Sequence, residues 1–285
     1  MSSNKKLDIN KFNNIIKGSN TLLKLFSCLI IIVLICILIG HYAFKNGKLT
    51  CEHYVFNTYL YIILAILLTF MVVLINDQTG IFNSLIQWMG EGSIVRVIIT
   101  FIIIILILFW LMYELSNVDP QNILASNAIW ATLIFIVGVF LIPIIWFGRL
   151  TDVVGLAGIL TIMITVIVGI LGYYYGDKIV TFDWDKYLNY ALWSLIIIMI
   201  AGSFLIRDIK NLSTFYFIIS IIMVLIFVLL LLSNHKKLRE NSEKCIDGKV
   251  VPNYPVESIG IYIKMLNIFT DLIRILGRLN SRRRR

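Results

Sequence analysis

Long apolar blocks separated by short polar connections dominate the pattern of hydrophobic and polar positions along this chain of 285 residues. Residues 29–39, 97–110 and 194–201 contain no charged side chain at all. An α-helix needs roughly 20 apolar residues to cross ~30 Å of hydrocarbon. By that measure the pattern predicts eight transmembrane helices, at about residues 22–41, 54–75, 94–115, 125–147, 152–175, 187–206, 213–233 and 256–277.

The predicted fold is therefore an all-α, polytopic transmembrane bundle. A β-barrel is excluded because the apolar residues form continuous blocks instead of alternating with polar ones. None of the connections is long enough to fold as a soluble domain, so we expect one membrane domain over residues 22–279. A basic amphipathic segment at 1–21 precedes it, and a basic tail at 280–285 follows it. If the last block only dips into the membrane, the number of spans becomes seven.

Composition and charge narrow the class of protein further. The chain is 59% hydrophobic and only 14% charged, which is too apolar for a soluble enzyme, a nucleic-acid-binding domain or a disordered chain. The net charge of +9 is concentrated at the two ends, and the C-terminal group is Arg282, Arg283, Arg284 and Arg285. Basic residues that flank spans mark the cytoplasmic side. We expect both termini to be cytoplasmic and the arginines to contact anionic lipids or an acidic partner.

Two stretches are predicted to lie at the membrane surface. Ile9, Phe12, Ile15 and Ile16 recur at helical spacing among Asn and Lys residues, which is typical of an interfacial helix. Residues 80–91 carry a similar apolar group between two spans. A short loop packed on the bundle is the alternative for both stretches.

The last block carries a polar stripe. Its polar residues and one glycine are separated alternately by three and four positions, so they share one face of a helix; they are Glu257, Gly260, Lys264, Asn267, Asp271, Arg274 and Arg278. A charged stripe facing lipid is costly, which leaves other helices, a wet cavity or the membrane surface. Two interpretations stay open: a polar path through the bundle, or an amphipathic helix whose Lys264 is neutralised by a carboxylate. The expected partners of Lys264 are Asp271, Glu114 or a carbonyl freed near Pro143.

Small residues in the fifth block predict close helix packing. Gly172 and Gly176 fit the small-xxx-small pattern that lets two helix backbones touch. Packing within one chain is favoured over a dimer interface because the pattern is widespread in membrane bundles.

Catalytic and metal-binding signatures are absent from the sequence. The three histidines, His41, His53 and His235, are predicted to lie in loops at the ends of spans, without zinc-ligand spacing. Asp183 and Asp185 are interpreted as part of a solvated turn. We therefore predict no enzymatic activity, no cofactor and no metal site.

Four cysteines divide into two groups. Cys28 and Cys36 lie within the first span, where thiols act as small apolar side chains. Cys51 and Cys245 fall on the same, non-cytoplasmic side of the eight-span topology, where a disulfide can persist. Loop cysteines often stay free, so the sequence favours free thiols and leaves the Cys51–Cys245 bridge as the alternative.

Three segments carry a resemblance to a known family. Residues 254–269 read Tyr-Pro-Val-Glu-Ser-Ile-Gly-Ile-Tyr-Ile-Lys-Met-Leu-Asn-Ile-Phe and are followed by Leu276-Gly277. Residues 233–238 read Ser-Asn-His-Lys-Lys-Leu, and residues 58–69 read Thr-Tyr-Leu-Tyr-Ile-Ile-Leu-Ala-Ile-Leu-Leu-Thr. Together they resemble the motifs of the Bax-inhibitor-type membrane family. The spacing of the two C-terminal motifs, at 233–238 and 254–269 with Cys245 between them, is most similar to that of members from large DNA viruses.

The resemblance implies a fold of seven core helices plus one extra N-terminal span. In the family, a pair of intramembrane aspartates is linked to a pH-gated calcium leak. Those positions correspond here to Asn234 and Lys264, and neither side chain is an acid. Two carboxylates that share a proton respond to pH, whereas an amide facing an ammonium group does not. The resemblance alone therefore does not imply calcium leak for this chain.

Three functions follow as hypotheses. The first is a Bax-inhibitor-like protein that modulates ion leak or cell death in an internal membrane. The second is a structural protein of a viral inner membrane, which anchors a capsid or another membrane protein through its basic termini. The third and weakest is a transporter subunit. None of them involves nucleic acid, and all of them place the protein within a lipid bilayer.

Overall fold

The computed structural model describes residues 21–84, 87, 94–180, 184–206 and 208–283. Within this part of the chain the fold consists of eight α-helices and one two-stranded antiparallel hairpin. In chain order the elements are α1 (Thr21–Tyr42), β1 (Phe44–Lys45), β2 (Lys48–Leu49), α2 (Tyr54–Thr79), α3 (Ile94–Asn117), α4 (Ile123–Leu150), α5 (Val154–Ile179), α6 (Trp184–Leu205), α7 (Ile209–Ile246) and α8 (Tyr254–Arg283).

Each of the eight predicted blocks is a helix, so the all-α fold is confirmed. Among the described residues, six helices are long and apolar enough to cross a membrane, namely α1, α2, α4, α5, α6 and α7. Helix α3 also carries a described apolar stretch, Ile102–Asn117. Helix α8 falls below the same measure of apolarity, because its polar stripe interrupts the apolar residues.

Helix α7 is longer than the sequence predicts. The predicted span ends near residue 233 and is followed by a basic loop, whereas the helix continues to Ile246 and contains 38 residues. At 1.5 Å per residue it is about 57 Å long, well beyond the ~30 Å of hydrocarbon. The extension is stabilised by acidic partners: Lys236 lies 3.7 Å from Asp177, and Arg239 also pairs with Asp177. The prediction of a loop at this point is therefore wrong.

The chain divides into two compact units. The first contains the residues up to His41 together with Ile63–Ile142. Its core includes the buried Val73, Leu133 and Ile134. Helices α2 and α4 approach closely at Gly138, where an added Cβ would lie 3.2 Å from the Cβ of Val72.

The second unit contains Tyr42–Ile62 and Pro143–Arg285. Its helices α5 and α7 touch along the glycines of α5 that were predicted to allow close packing. A Cβ added at Gly172 would lie 2.5 Å from the carbonyl oxygen of Leu232, and one at Gly176 would lie 2.8 Å from the Cβ of Lys236. The small residues therefore serve packing within one chain. A second core cluster joins α5 to α8 through Ala157 and Ile273.

Some predicted features lie outside the described residues. These are the amphipathic N-terminal segment up to residue 20, and Arg284 and Arg285 of the basic tail. The basic tail was predicted to begin at residue 280, whereas α8 continues to Arg283. Of the surface stretch at 80–91, residues 80–84 and 87 are described. Gly80, with a φ of +64°, ends α2, and the amide of Phe82 donates to Oδ1 of Asn76 (3.0 Å).

Candidate functional site

The polar stripe of α8 is the centre of the candidate site, and all of it belongs to the second unit. Lys264 and Asn267 are half-buried, Asp271 is buried, and Arg274 is exposed. Buried apolar residues occupy the other sides of the helix, including Ile261 and Ile268. Helix α8 is thus buried on its apolar sides and carries its polar residues along one stripe. Because the helix packs in the bundle, the charged residues of the stripe have protein neighbours.

Asn234 and Lys264, which the sequence motifs align with the family aspartates, both contact Gly260. The ammonium group of Lys264 donates a hydrogen bond to the carbonyl oxygen of Gly260, one turn earlier in α8 (3.0 Å). The side chain of Asn234, from α7, packs against the same glycine, since a Cβ added there would lie 3.1 Å from Nδ2 of Asn234. Gly260 therefore makes the room that brings the two substituted positions together.

Asp185 supplies the negative charge of this site. It lies in the first turn of α6, its side chain is only 17% exposed, and it pairs with Lys237 of α7. Its carboxylate also attracts the ammonium group of Lys264. The sequence analysis placed Asp185 in a solvated turn, which is wrong because α6 begins at Trp184 and packs on α7. Its partner Asp183 lies outside the described residues.

The predicted partners of Lys264 are replaced by this arrangement. Asp271, the first of them, accepts hydrogen bonds from the hydroxyl of Ser220 (3.1 Å) and from the guanidinium of Arg274 (3.0 Å). It is therefore used in a separate contact between α7 and α8, a little below Lys264. The acceptor of Lys264 is a carbonyl of its own helix, and its carboxylate comes from α6.

The remaining stripe residues are bonded one by one. The amide of Asn267 donates to the carbonyl of Ile263 in the preceding turn (2.9 Å). The guanidinium of Arg278 donates to the hydroxyl of Thr214 (2.7 Å) and lies over the ring of Phe217. Within the described part of the chain, these contacts tie the stripe to α7 and to its own backbone.

Glu257 occupies the first turn of α8, at the end of the unit that carries the hairpin. Its Oε1 accepts hydrogen bonds from the amide of Asn241 (2.7 Å) and from the hydroxyl of Tyr54 (3.3 Å). Nearby, Lys45 of β1 donates a hydrogen bond to Glu52, which lies between β2 and α2 (2.6 Å). This hydrogen bond and the positive charge of Lys45 lower the pKa of the exposed Glu52. Asn241 was not predicted as a partner of Glu257, because the sequence pattern placed that residue in a loop.

Cys51 and Cys245 form a disulfide, with their Cα atoms 5.6 Å apart. The sequence favoured free thiols, and that expectation is wrong because the extension of α7 carries Cys245 to the start of α2. Cys28 and Cys36 are both free, as expected for residues of the first span. Cys28 is buried and donates to the carbonyl of Leu67 (3.6 Å).

His235 differs from its prediction as well. It lies inside α7 instead of a loop, is 1% exposed, and its Nδ1 contacts the carbonyl of Leu231 at 2.8 Å. Its ring fills the space above Gly169 and lies beside Tyr59, with ring centroids 6.0 Å apart. In the described part of the chain, no group of three or more His, Cys, Asp or Glu side chains is placed to hold a metal ion.

The helices and their apolar composition define a multi-pass helical membrane protein. The profile of the family described as "Inhibitor of apoptosis-promoting Bax1" matches residues 51–282, and the chain belongs to this Bax inhibitor family. The matched residues extend from α2 into α8, and α1 precedes them. No curated protein matches the chain in a direct comparison.

Proposed function

We propose that the protein modulates ion leak across an internal membrane, and that it does so without the acid pair of its family. The observation that carries this proposal is the meeting of Asn234 and Lys264 at Gly260, where the carboxylate of Asp185 attracts the ammonium group of Lys264. Each residue comes from a different part of the second unit, α7, α8 and α6 respectively. The site therefore holds an amide and an ammonium group at the two motif positions, and its carboxylate, Asp185, comes from α6.

The charges of the site decide which ions it favours. Two carboxylates attract divalent cations and share protons, so such a pair binds cations and responds to pH. A fixed ammonium group repels cations, and a nearby carboxylate stabilises it in its charged form. An unpaired Lys at this depth costs ~2.5–3.5 kcal/mol on insertion scales, which favours keeping Asp185 close to Lys264. The proposed state is one with slow calcium leak that changes little with pH.

Calcium flux in liposomes tests the proposal. Purified protein is reconstituted with a calcium-sensitive dye inside the vesicles, and flux is read at two pH values. We expect slow, pH-independent flux for the wild type, and flux on the order of tenfold faster for Lys264→Met, equivalent to ~1.4 kcal/mol of barrier. The matched control is Lys48→Met, which removes an equal charge from the exposed hairpin.

Three outcomes decide the matter. Asn234→Asp combined with Lys264→Asp restores two acids, and its flux should become both faster and pH-dependent. Fast pH-gated flux in the wild type would overturn the proposed role of Lys264. Flux equal to that of empty vesicles in all variants, each shown to be monodisperse, would overturn ion leak as the function.

A structural role in a viral inner membrane is the second candidate. The observation that favours it is the C-terminal end of α8, where the helix runs on to Arg283 and the chain ends in four arginines. Such an end suits an acidic capsid surface or anionic lipid headgroups. A fixed ratio of this protein to a coat protein in purified particles would support this role, whereas absence from particles would exclude it.

A further inference from the structure

The end of the second unit that carries the hairpin is held by one covalent bond. The Cys51–Cys245 disulfide joins the residues before α2 to the last turn of α7, which are 194 positions apart in the chain. Around it lie residues 42–57 and residues 241–257, which together we call the end cap. The cap contains the hairpin of β1 and β2, the start of α2, the end of α7 and the start of α8.

Hydrogen bonds next to the bridge fix the backbone of the cap. The hydroxyl of Tyr254 donates to the carbonyl of Thr50, the residue before Cys51. The amide of the fully buried Asn57 donates to the carbonyls of Tyr42 and Glu52, both at 3.0 Å. The loop that carries Cys51 is therefore bonded on both sides of the cysteine.

The bridge also fixes the two donors of Glu257. Tyr54 follows Cys51 by three residues, and Asn241 precedes Cys245 by four residues, which is about one turn of α7. Both side chains donate to the same Oε1 of Glu257. The disulfide therefore holds together the two segments whose side chains bind this half-buried carboxylate.

Besides the bridge, the two segments of the cap are joined by side-chain contacts alone. Tyr254 bonds Thr50 and Asn57, and its ring lies 5.3 Å from that of Tyr54. The strands are two residues long each, and a two-stranded hairpin is marginally stable by itself. The hydroxyl of Tyr54 bonds Glu257 at 3.3 Å, which is longer than usual for an O–H···O bond. The disulfide is therefore the one covalent bond between the two segments, which lie 194 positions apart at the cysteines.

We propose that the Cys51–Cys245 disulfide is a redox-operated clamp on the end cap, opened by a dithiol reductant and closed again by exchange with a disulfide oxidant, which is reduced to its dithiol. In the closed state Tyr54 and Asn241 both bind Glu257. In the open state the loop before α2 separates from the end of α7, and Glu257 loses its shared pair of donors. Disulfides persist in oxidising compartments, so the clamp places the cap on the oxidising side of the membrane.

The chemistry is a thiol–disulfide exchange of two electrons. Cys51 is partly exposed and Cys245 is 2% exposed, so a thiolate of the dithiol attacks Sγ of Cys51 and Cys245 leaves as a thiolate. The second thiol of the reductant then attacks the mixed disulfide, and Cys51 leaves as a thiolate. Both cysteines take up a proton, and the dithiol is oxidised to its own disulfide.

Hydrogen–deuterium exchange of the full chain in detergent micelles tests the clamp directly. On adding dithiothreitol, we expect amide exchange in residues 42–57 and 249–257 to become about tenfold faster, while exchange in the middle of α5 stays unchanged. Removal of the reductant and mild oxidation should restore the slow exchange. The Cys51→Ser variant should exchange fast in the cap from the start and should not respond to dithiothreitol.

The free cysteines provide the matched control. A variant with both Cys28→Ser and Cys36→Ser keeps the bridge and should retain the complete response to dithiothreitol. A non-reducing peptide map that finds Cys51 and Cys245 unbonded would overturn the proposal. So would exchange that is unchanged by reduction, or that rises equally in α5, because the bond would then be no clamp on the cap. None of these readouts depends on ion leak.

Discussion

Helices α6 and α8 of the second unit make opposite use of apolar side chains. Helix α6 is apolar around most of its surface, yet only 6% of its most apolar stretch is buried, and Gly202 is its one buried residue in the described part of the chain. Helix α8 carries seven stripe positions, yet Tyr262, Ile268 and Ile273 are fully buried. The more polar helix is thus the more deeply packed one.

The difference follows from the solvent of a membrane protein. Lipid chains are as apolar as isoleucine, so an apolar helix gains little from leaving them. A charged or amide side chain gains much from a protein partner, because lipid offers it none. Helix α8 therefore lies against α5 and α7. Helix α6 contacts α7, where Asp185 pairs with Lys237 and Gly202 lies against Phe215, and most of its other side chains are exposed.

The largest expected difference in stability between α8 and α6 comes from truncating one isoleucine in each helix. Ile268→Ala in α8 removes a side chain that is 0% exposed and should destabilise the protein by about 2–5 kcal/mol. Ile197→Ala in α6 removes one that is 64% exposed and should change stability by less than about 0.5 kcal/mol. Reversible unfolding in mixed micelles measures both. Equal losses would show that α6 is buried in a contact of the native protein.

The next largest change in stability is expected from alanine substitutions at two glycines of α5. A Cβ at Gly172 would meet the backbone of α7, so Gly172→Ala should destabilise by about 1–3 kcal/mol. Gly158, in the same helix, has no atom within 4 Å of an added Cβ, so Gly158→Ala should stabilise by about 0.5–1 kcal/mol. The same unfolding assay compares them. A neutral Gly172→Ala variant would contradict the close approach of α5 and α7.

A smaller loss tests the polar contact between α7 and α8. Asp271→Ala leaves the hydroxyl of Ser220 without its acceptor and should cost about 1–3 kcal/mol, while the exposed Arg274 regains water. Asp247→Ala is the control, because its pair with Lys249 is exposed and contributes little. If the two variants lost the same stability, the polar stripe would not hold α8 in place.

The smallest effect on stability is expected at the C-terminus. Deletion of Arg282, Arg283, Arg284 and Arg285 removes four charges and no apolar surface. The unfolding free energy should stay the same, while the amount of anionic lipid retained by the purified protein should fall and lose its dependence on salt. Unchanged lipid retention would show that the arginines do not contact headgroups.

Much of the fold is predictable from the chain because each helix is an apolar block of its own. The eight predicted blocks agree with the eight helices, and the motifs around Thr58 and Tyr262 indicate the family that the match over residues 51–282 shows. The predicted end of α7 is wrong because hydropathy reports only the lipid-crossing part of a helix. The basic turns that follow are helical because Asp177 and Asp185, from other helices, pair with them.

Local apolarity and helical spacing are sufficient to predict the class of protein, the eight helices of the described residues and the stripe of α8. The resemblance of the motifs also predicts that Asn234 and Lys264 stand where the family has acids. The tertiary structure adds the contact of Asn234 with Gly260, the ion pair of Asp185 with Lys237, and the bond of Cys51 to Cys245. Each of these contacts joins residues that are 26 or more positions apart, and chain position alone does not determine which distant side chains meet.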